Sequence, residues 1–215
     1  MVDAPVVAVR GEAFREVPPE IARFTVTAVA RDRDRQATLT RLAERAAAVR
    51  VLIEEYGSAV DRRETGDLRV RPEFKRSGER VAAYHGSVAT TVTMTDFAVL
   101  GELMLRLAEQ EQVEVAGPWW SLRPDSPVHR EARHAAIRDA VQRAREYAEA
   151  LGARVTALLE LTDTGMSSQP MLTRAAFGFG GGAEAAPELD LDPQVQTVQA
   201  GVEARFAISE PVLDR

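Results

Sequence analysis

From Ile21 to Arg31 the chain alternates strictly: Ala22, Phe24, Val26, Ala28 and Ala30 share one parity, and Arg23, Thr25, Thr27 and Arg31 share the other. A period of two with β-branched residues predicts a half-buried strand. Before it, Val6 to Val9 reads as a short strand ended by Gly11. After it, the charged stretch Arg31-Asp32-Arg33-Asp34-Arg35 leads into a helix. Its apolar positions Leu39, Leu42, Ala46, Val49, Ile53 and Tyr56 step by three and four, which is one helical stripe. Gly57 stands where a left-handed C-cap is expected.

Two further strands follow, one around Leu68, Val70 and Phe74 and one over Arg80–Thr95, joined through Ser77-Gly78 as an antiparallel hairpin. Thr95 or Asp96 then caps a second helix carrying Phe97, Leu100, Met104 and Leu107. Val113–Leu122 is a strand interrupted by Gly117-Pro118. Ser126 with Pro127 behind it is a strong helix start, and that third helix runs to about Leu151 before Gly152. Its inner stripe is read as Ile137, Ala140, Val141, Ala144, Ala148 and Leu151, with Tyr147 at the margin. Alanines leave little bulk, so this helix is expected to lie close against its sheet. Val155–Leu161 is another strand, residues 164–193 lack periodicity, and Val198, Ala200, Val202, Ala204, Phe206 and Ile208 share one face of a long closing strand.

The resulting order is strand-strand-helix, strand-strand-helix, strand-helix-strand-strand. It predicts an α+β fold, antiparallel sheets with amphipathic helices packed on them. The chain is read as one domain over residues 1–215. It is divisible into two α/β halves, about 1–80 with the C-terminal strand and 81–164, with 164–193 a flexible loop.

Composition narrows the chemistry. With no cysteine among 215 residues, disulfides, thiolate nucleophiles and cysteine-based zinc sites are excluded together. A net charge of −6 argues against a general nucleic-acid surface. No apolar run reaches the roughly 18–20 residues that span a bilayer, and the N-terminus carries no basic leader before an apolar core. The expectation is a cytoplasmic protein as the sequence stands, without membrane insertion.

Three groups of residues resemble the SIMPL-domain family. Val7-x-Val9-x-Gly11 followed by Pro18-Pro19-x-Ile21-Ala22-x-Phe24-x-Val26 looks like that family's opening, with Glu20 where an aspartate is frequent. The alanine-rich helix ending at Gly57 precedes a strand leading to Tyr84, where Ala83 occupies a family glycine position. Most specific is Trp120-Ser121-Leu122 followed by Ala132, Ala135-Ala136, Asp139-Ala140, Arg143-Ala144, Tyr147-Ala148 and Leu151-Gly152. The resemblance covers nearly the whole chain, but its motifs are structural. It implies a non-catalytic protein, with relatives in the bacterial envelope, some linked to oxidative-stress tolerance. Some of those relatives form ring- or cage-like oligomers, and some act as adaptors. No catalytic residue set comes with it.

The residues that could carry chemistry mostly have plainer readings. Glu131 and His134 form a Glu-x-x-His pair, yet no second pair accompanies it, so a solvated surface pair is favoured over a metal site. His85 reads as solvent-facing. The run Gly178–Gly182 lacks the lysine and hydroxyl of a phosphate loop. Arg69, Arg71, Arg76 and Arg80 could form a basic strip for an anion or a partner. Trp119-Trp120 cannot bury both rings unless both faces of their strand are covered. One is expected in the core, and the other either beneath a helix or at an interface that could include Phe177 and Phe179. No catalytic residue, metal or cofactor is assigned. The expected partner is a second copy of the chain. A monomeric adaptor for a protein or small ligand is the main alternative, and an enzyme the lesser one.

Overall fold

The computed structural model describes residues 4–170, without 76, 77 and 79, and residues 189–212. Its elements follow the order that the periodicity predicts: β1 (Val6–Val17), β2 (Ile21–Asp32), α1 (Arg35–Glu54), β3 (Val60–Phe74), β4 (Val81–Met94), α2 (Leu100–Ala108), β5 (Val113–Ser121), α3 (Pro127–Ala150), β6 (Val155–Pro170) and β7 (Gln196–Ile208). The strands form two antiparallel sheets, β1-β7-β6 and β3-β4-β2-β5, an α+β architecture. The chain divides into two compact units. One comprises residues 1–18, 122–173 and 194–215; the other comprises 19–121 and 174–193. The boundaries therefore fall after Pro18 and Ser121 rather than near residue 80, because β3 and β4 pair with each other.

The four-stranded sheet is built on β2. All five expected inward residues, Ala22, Phe24, Val26, Ala28 and Ala30, are buried. They face Met94 and Val92 of β4 on one side and Trp120 and Val115 of β5 on the other. Val49 and Ile53 of α1 and Leu100, Leu103 and Leu107 of α2 close this core. Fully burying such a side chain is worth about 1.5–3 kcal/mol each.

The N-cap of α1 is Asp34, whose carboxylate accepts the Ala37 N–H at 2.8 Å. Thr38 is fully buried beside Leu42, because its hydroxyl donates to the Asp34 carbonyl at 2.9 Å and so goes unpaired nowhere. The second helix starts at Leu100, later than expected. Asp96 accepts the Ala98 N–H at 3.0 Å and caps the turn that precedes α2. β3 begins at Val60, well before its alternating part, because pairing with β4 carries it there.

In the other unit β7 is the central strand, and its six predicted inward residues are all buried. The short first strand is a correction: β1 runs through Gly11 to Val17. Gly11 does not end the strand; it admits α3. A Cβ there would lie 2.2 Å from the Ala136 carbonyl oxygen and 2.7 Å from the Ala140 Cβ. The buried stripe of α3 is Ala132, Ala136, Ala140, Ala144 and Ala148. Ile137 and Val141 stand half-buried on its flank, and Leu151 is exposed. Only methyl groups fit where helix and sheet backbones approach this closely, so the larger side chains are displaced sideways.

β6 also exceeds its expected end at Leu161, continuing to Pro170 with three register shifts against β7. Part of the segment expected to be a loop is therefore strand. Its residues 171–188 lie outside the described residues.

Candidate interaction site

Along β5, Val113, Val115 and Trp120 pair with Ala28, Val26 and Ala22 on the buried face, while Glu114, Ala116 and Trp119 pair with Thr27, Thr25 and Arg23 on the open face. Gly117 and Pro118 are inserted opposite Phe24, where the register shifts. Gly117 has φ +125°, and a Cβ on it would lie 2.9 Å from the Phe24 Cβ. This bulge re-aims the two indoles that follow it. Trp120 is 8% exposed, and its ring meets Phe97 edge-on at 4.8 Å between centroids. Trp119 is 54% exposed. The choice that the sequence leaves open is thus decided: Trp120 is core and Trp119 faces outward.

The same open face carries Arg69 opposite Ser87 and Arg71 opposite His85. Acidic neighbours interleave with them. Arg69 is paired with Asp67, and Arg31 grips Glu73 through two hydrogen bonds of 2.7 and 3.1 Å. The hydrogen bond from Arg31 holds the Glu73 carboxyl below the usual glutamate range, and the charges of Arg31, His85 and Arg71 add to it. Arg80 is exposed beyond the turn, where its carbonyl accepts the Lys75 N–H at 2.9 Å. Arg76, Phe177 and Phe179 lie outside the described residues.

A second cluster joins α1 to α2. The Tyr56 hydroxyl donates to Glu102 at 2.8 Å, and Arg106 donates to that hydroxyl at 3.2 Å and to Glu55 at 2.8 Å. The guanidinium also stands 5.6 Å from the Tyr56 ring centre. Burial pushes the Tyr56 hydroxyl pKa up, and its hydrogen bond to Glu102 adds to that. Beside this cluster a cavity of about 500 Å³ is lined by Phe97, Gly101, Leu105, Arg106, Leu189 and Leu191 among others. Sequence reading placed Tyr56 on the α1 stripe but missed Arg106. The available signal was Glu102 and Arg106 at i and i+4 on one helix.

Glu131 and His134 are exposed on α3, and His85 is half-buried on the open face of β4. His129 places Nε2 3.3 Å from the Arg123 carbonyl. Among the described residues no group of three or more His, Asp or Glu is placed to hold a metal ion. Among them, too, no helix is long and apolar enough to cross a membrane.

Over residues 7–206 the sequence matches the family described as SIMPL, protein of unknown function (DUF541). No curated protein matches it. A crystal structure described as "a putative amidohydrolase/peptidase" from Burkholderia cenocepacia is similar at a TM-score of 0.29 and 17% identity, the match covering 63% of this chain. This chain spans 35% of the length of that protein, and a likeness so slight carries no argument about activity.

Proposed function

The chain belongs to the SIMPL family, and we propose that it works without catalysis, as a self-associating scaffold or binding protein. The observation that supports this most directly is Trp119. A tryptophan 54% exposed on an edge strand, beside an indole already committed to the core, is the residue type that anchors interfaces. Arg23 stands directly opposite it on the open face and gives an apolar anchor a polar neighbour. The test is light scattering coupled to size exclusion at micromolar concentration, with Trp119→Ser beside wild type. An oligomer that weakens in the variant is the expected result, and a monomeric wild type across that range would remove the proposal. Turnover in a panel of ester and amide substrates would remove its non-catalytic part.

The cavity beside Arg106 favours a second reading, a monomeric adaptor for a small acidic ligand. Its size falls within the range of about 300–1,000 Å³ usual for ligand sites. Binding of a carboxylate ligand that Arg106→Gln abolishes would select it. A link to stress tolerance comes with the family resemblance, and survival of a deletion strain under peroxide measures it.

A further inference from the structure

Among the described residues the two sheets leave four edge strands, β1, β6, β3 and β5. Edges of this kind recruit other strands unless charge, proline or irregularity blunts them. β3 is charged at eight of its fifteen positions, contains Pro72 and shifts register three times. β5 is short and broken by Gly117-Pro118. β1 carries Arg10, Glu12, Arg15 and Glu16. The edge of β6 is different. It too shifts register three times against its neighbour, but from Val155 to Thr162 its only charge is Glu160, and no proline comes before Pro170.

Its side chains match its backbone in lacking cover. Leu158 and Leu159 are each 54% exposed, Leu161 45% and Met166 41%. Leu158, Leu161 and Met166 pair with Phe206, Ala204 and Ala200, so they stand on the face that α3 covers elsewhere. The helix does not reach them. Its alanine stripe holds it over β1 and β7, with Asp139 accepting the Glu12 N–H at 2.9 Å on the β1 side. Half-buried Ile137 and Val141 line its other flank, and Arg133 there lies 3.9 Å from the Met166 sulfur. An apolar trough is left between α3 and β6.

We propose that β6 is the surface through which two copies of this chain pair, antiparallel and edge to edge, making one six-stranded sheet from two β1-β7-β6 sheets. This rests on the self-associating reading above and adds to Trp119 a second contact surface, on the other sheet. The strand is complementary to itself. A two-fold axis normal to the sheet, with Leu158 of one copy opposite Leu161 of the other, keeps both α3 helices on one face, and the two troughs adjoin. Glu160 then faces Leu159 of the second copy rather than its own equivalent, and Arg205 stays beside it at 3.4 Å. Strand pairing adds backbone and flanking surface toward the about 800 Å² per partner that a specific interface buries.

Because the chain has no cysteine, single introduced thiols report on this register directly. Leu158→Cys and Leu161→Cys proteins, mixed and mildly oxidised, are expected to form a disulfide-linked heterodimer in high yield, since opposed strand positions lie within disulfide reach. A Glu114→Cys and Leu158→Cys mixture serves as the control. The double variant Leu159→Lys, Leu161→Lys is expected to raise the dissociation constant at least 100-fold. A wild type that is monomeric throughout would sink both this proposal and the self-associating reading. An oligomer that persists in the lysine variant, with no cross-link above control, would overturn the β6 surface alone. Should the lysine variant fail to fold, the cross-link decides.

Discussion

Gly11 shows how one missing methyl group positions a helix. The strand conformation at this position suits any residue, and the constraint is the α3 backbone, 2.2 Å from where a Cβ would stand. Gly11→Ala should therefore destabilise the protein by about 1–3 kcal/mol, the usual range for an overpacked site, read as a lower urea midpoint. A wild-type midpoint would mean that α3 shifts freely. The two tryptophans separate in the same measurement. Trp120→Ala empties a core position and should cost about 3–5 kcal/mol, whereas Trp119→Ser should stay within about 0.5 kcal/mol as an exposed change. Nothing in the dipeptide itself distinguishes them; the bulge opposite Phe24 does.

Glu73 supplies a pH dependence with a definite sign. Its folded pKa is lowered, first by the hydrogen bond from Arg31. Whatever stability the pair contributes is therefore full above the unfolded glutamate value of about 4.3 and is lost as pH falls through the lower folded value. Carboxyl chemical shifts followed through an acid titration should place Glu73 below ordinary glutamates. Arg31→Gln should move it upward, and no movement would assign the shift to another cause.

At the level of single elements, local sequence and tertiary packing contribute differently to each helix. The start of α1 is written locally, in the Asp34 carboxylate and the Ala37 N–H. Asp34→Ala should cost about 1 kcal/mol, with Asp34→Asn restoring most of it in thermal unfolding. α3 also starts where Ser126 and Pro127 say it should, but its buried face is not the one its bulkiest residues suggest. A stripe at a spacing of four alanines lies against Gly11, and Ile137 and Val141 are pushed to the flank. Periodicity finds helices well and ranks their faces poorly when the smallest side chains mark the closest contact. The strands show the same division. β2 and β7 were fully legible because one face of each is buried. β3 hid its first half because an exposed edge strand needs no apolar alternation.

Across the whole molecule, the two units differ in how the chain builds them. Every strand of the four-stranded sheet, with α1 and α2, comes from residues 19–121. The other sheet joins β1 to β7 across nearly the entire chain. A fragment of residues 19–121 should therefore unfold cooperatively on its own. One of residues 122–215 should not, because it lacks the β1 edge over which α3 sits. Circular dichroism of both fragments during urea unfolding measures this. A cooperative transition in the second, or none in the first, would show that the unit boundaries do not correspond to folding units.

The sequence by itself determined the class, the order of elements, the inward faces of β2 and β7 and the starts of α1 and α3. Period, capping residues and turn residues act over a few positions, so they can be read without a fold. The tertiary structure alone decided the rest: which tryptophan is buried, that Gly11 lies within a strand, and that β7 lies between β1 and β6. It also decided that β6 is left as an apolar edge. These depend on which strands become neighbours and how closely a helix can approach them. Such distances are set between residues far apart in the chain, where no local pattern records them.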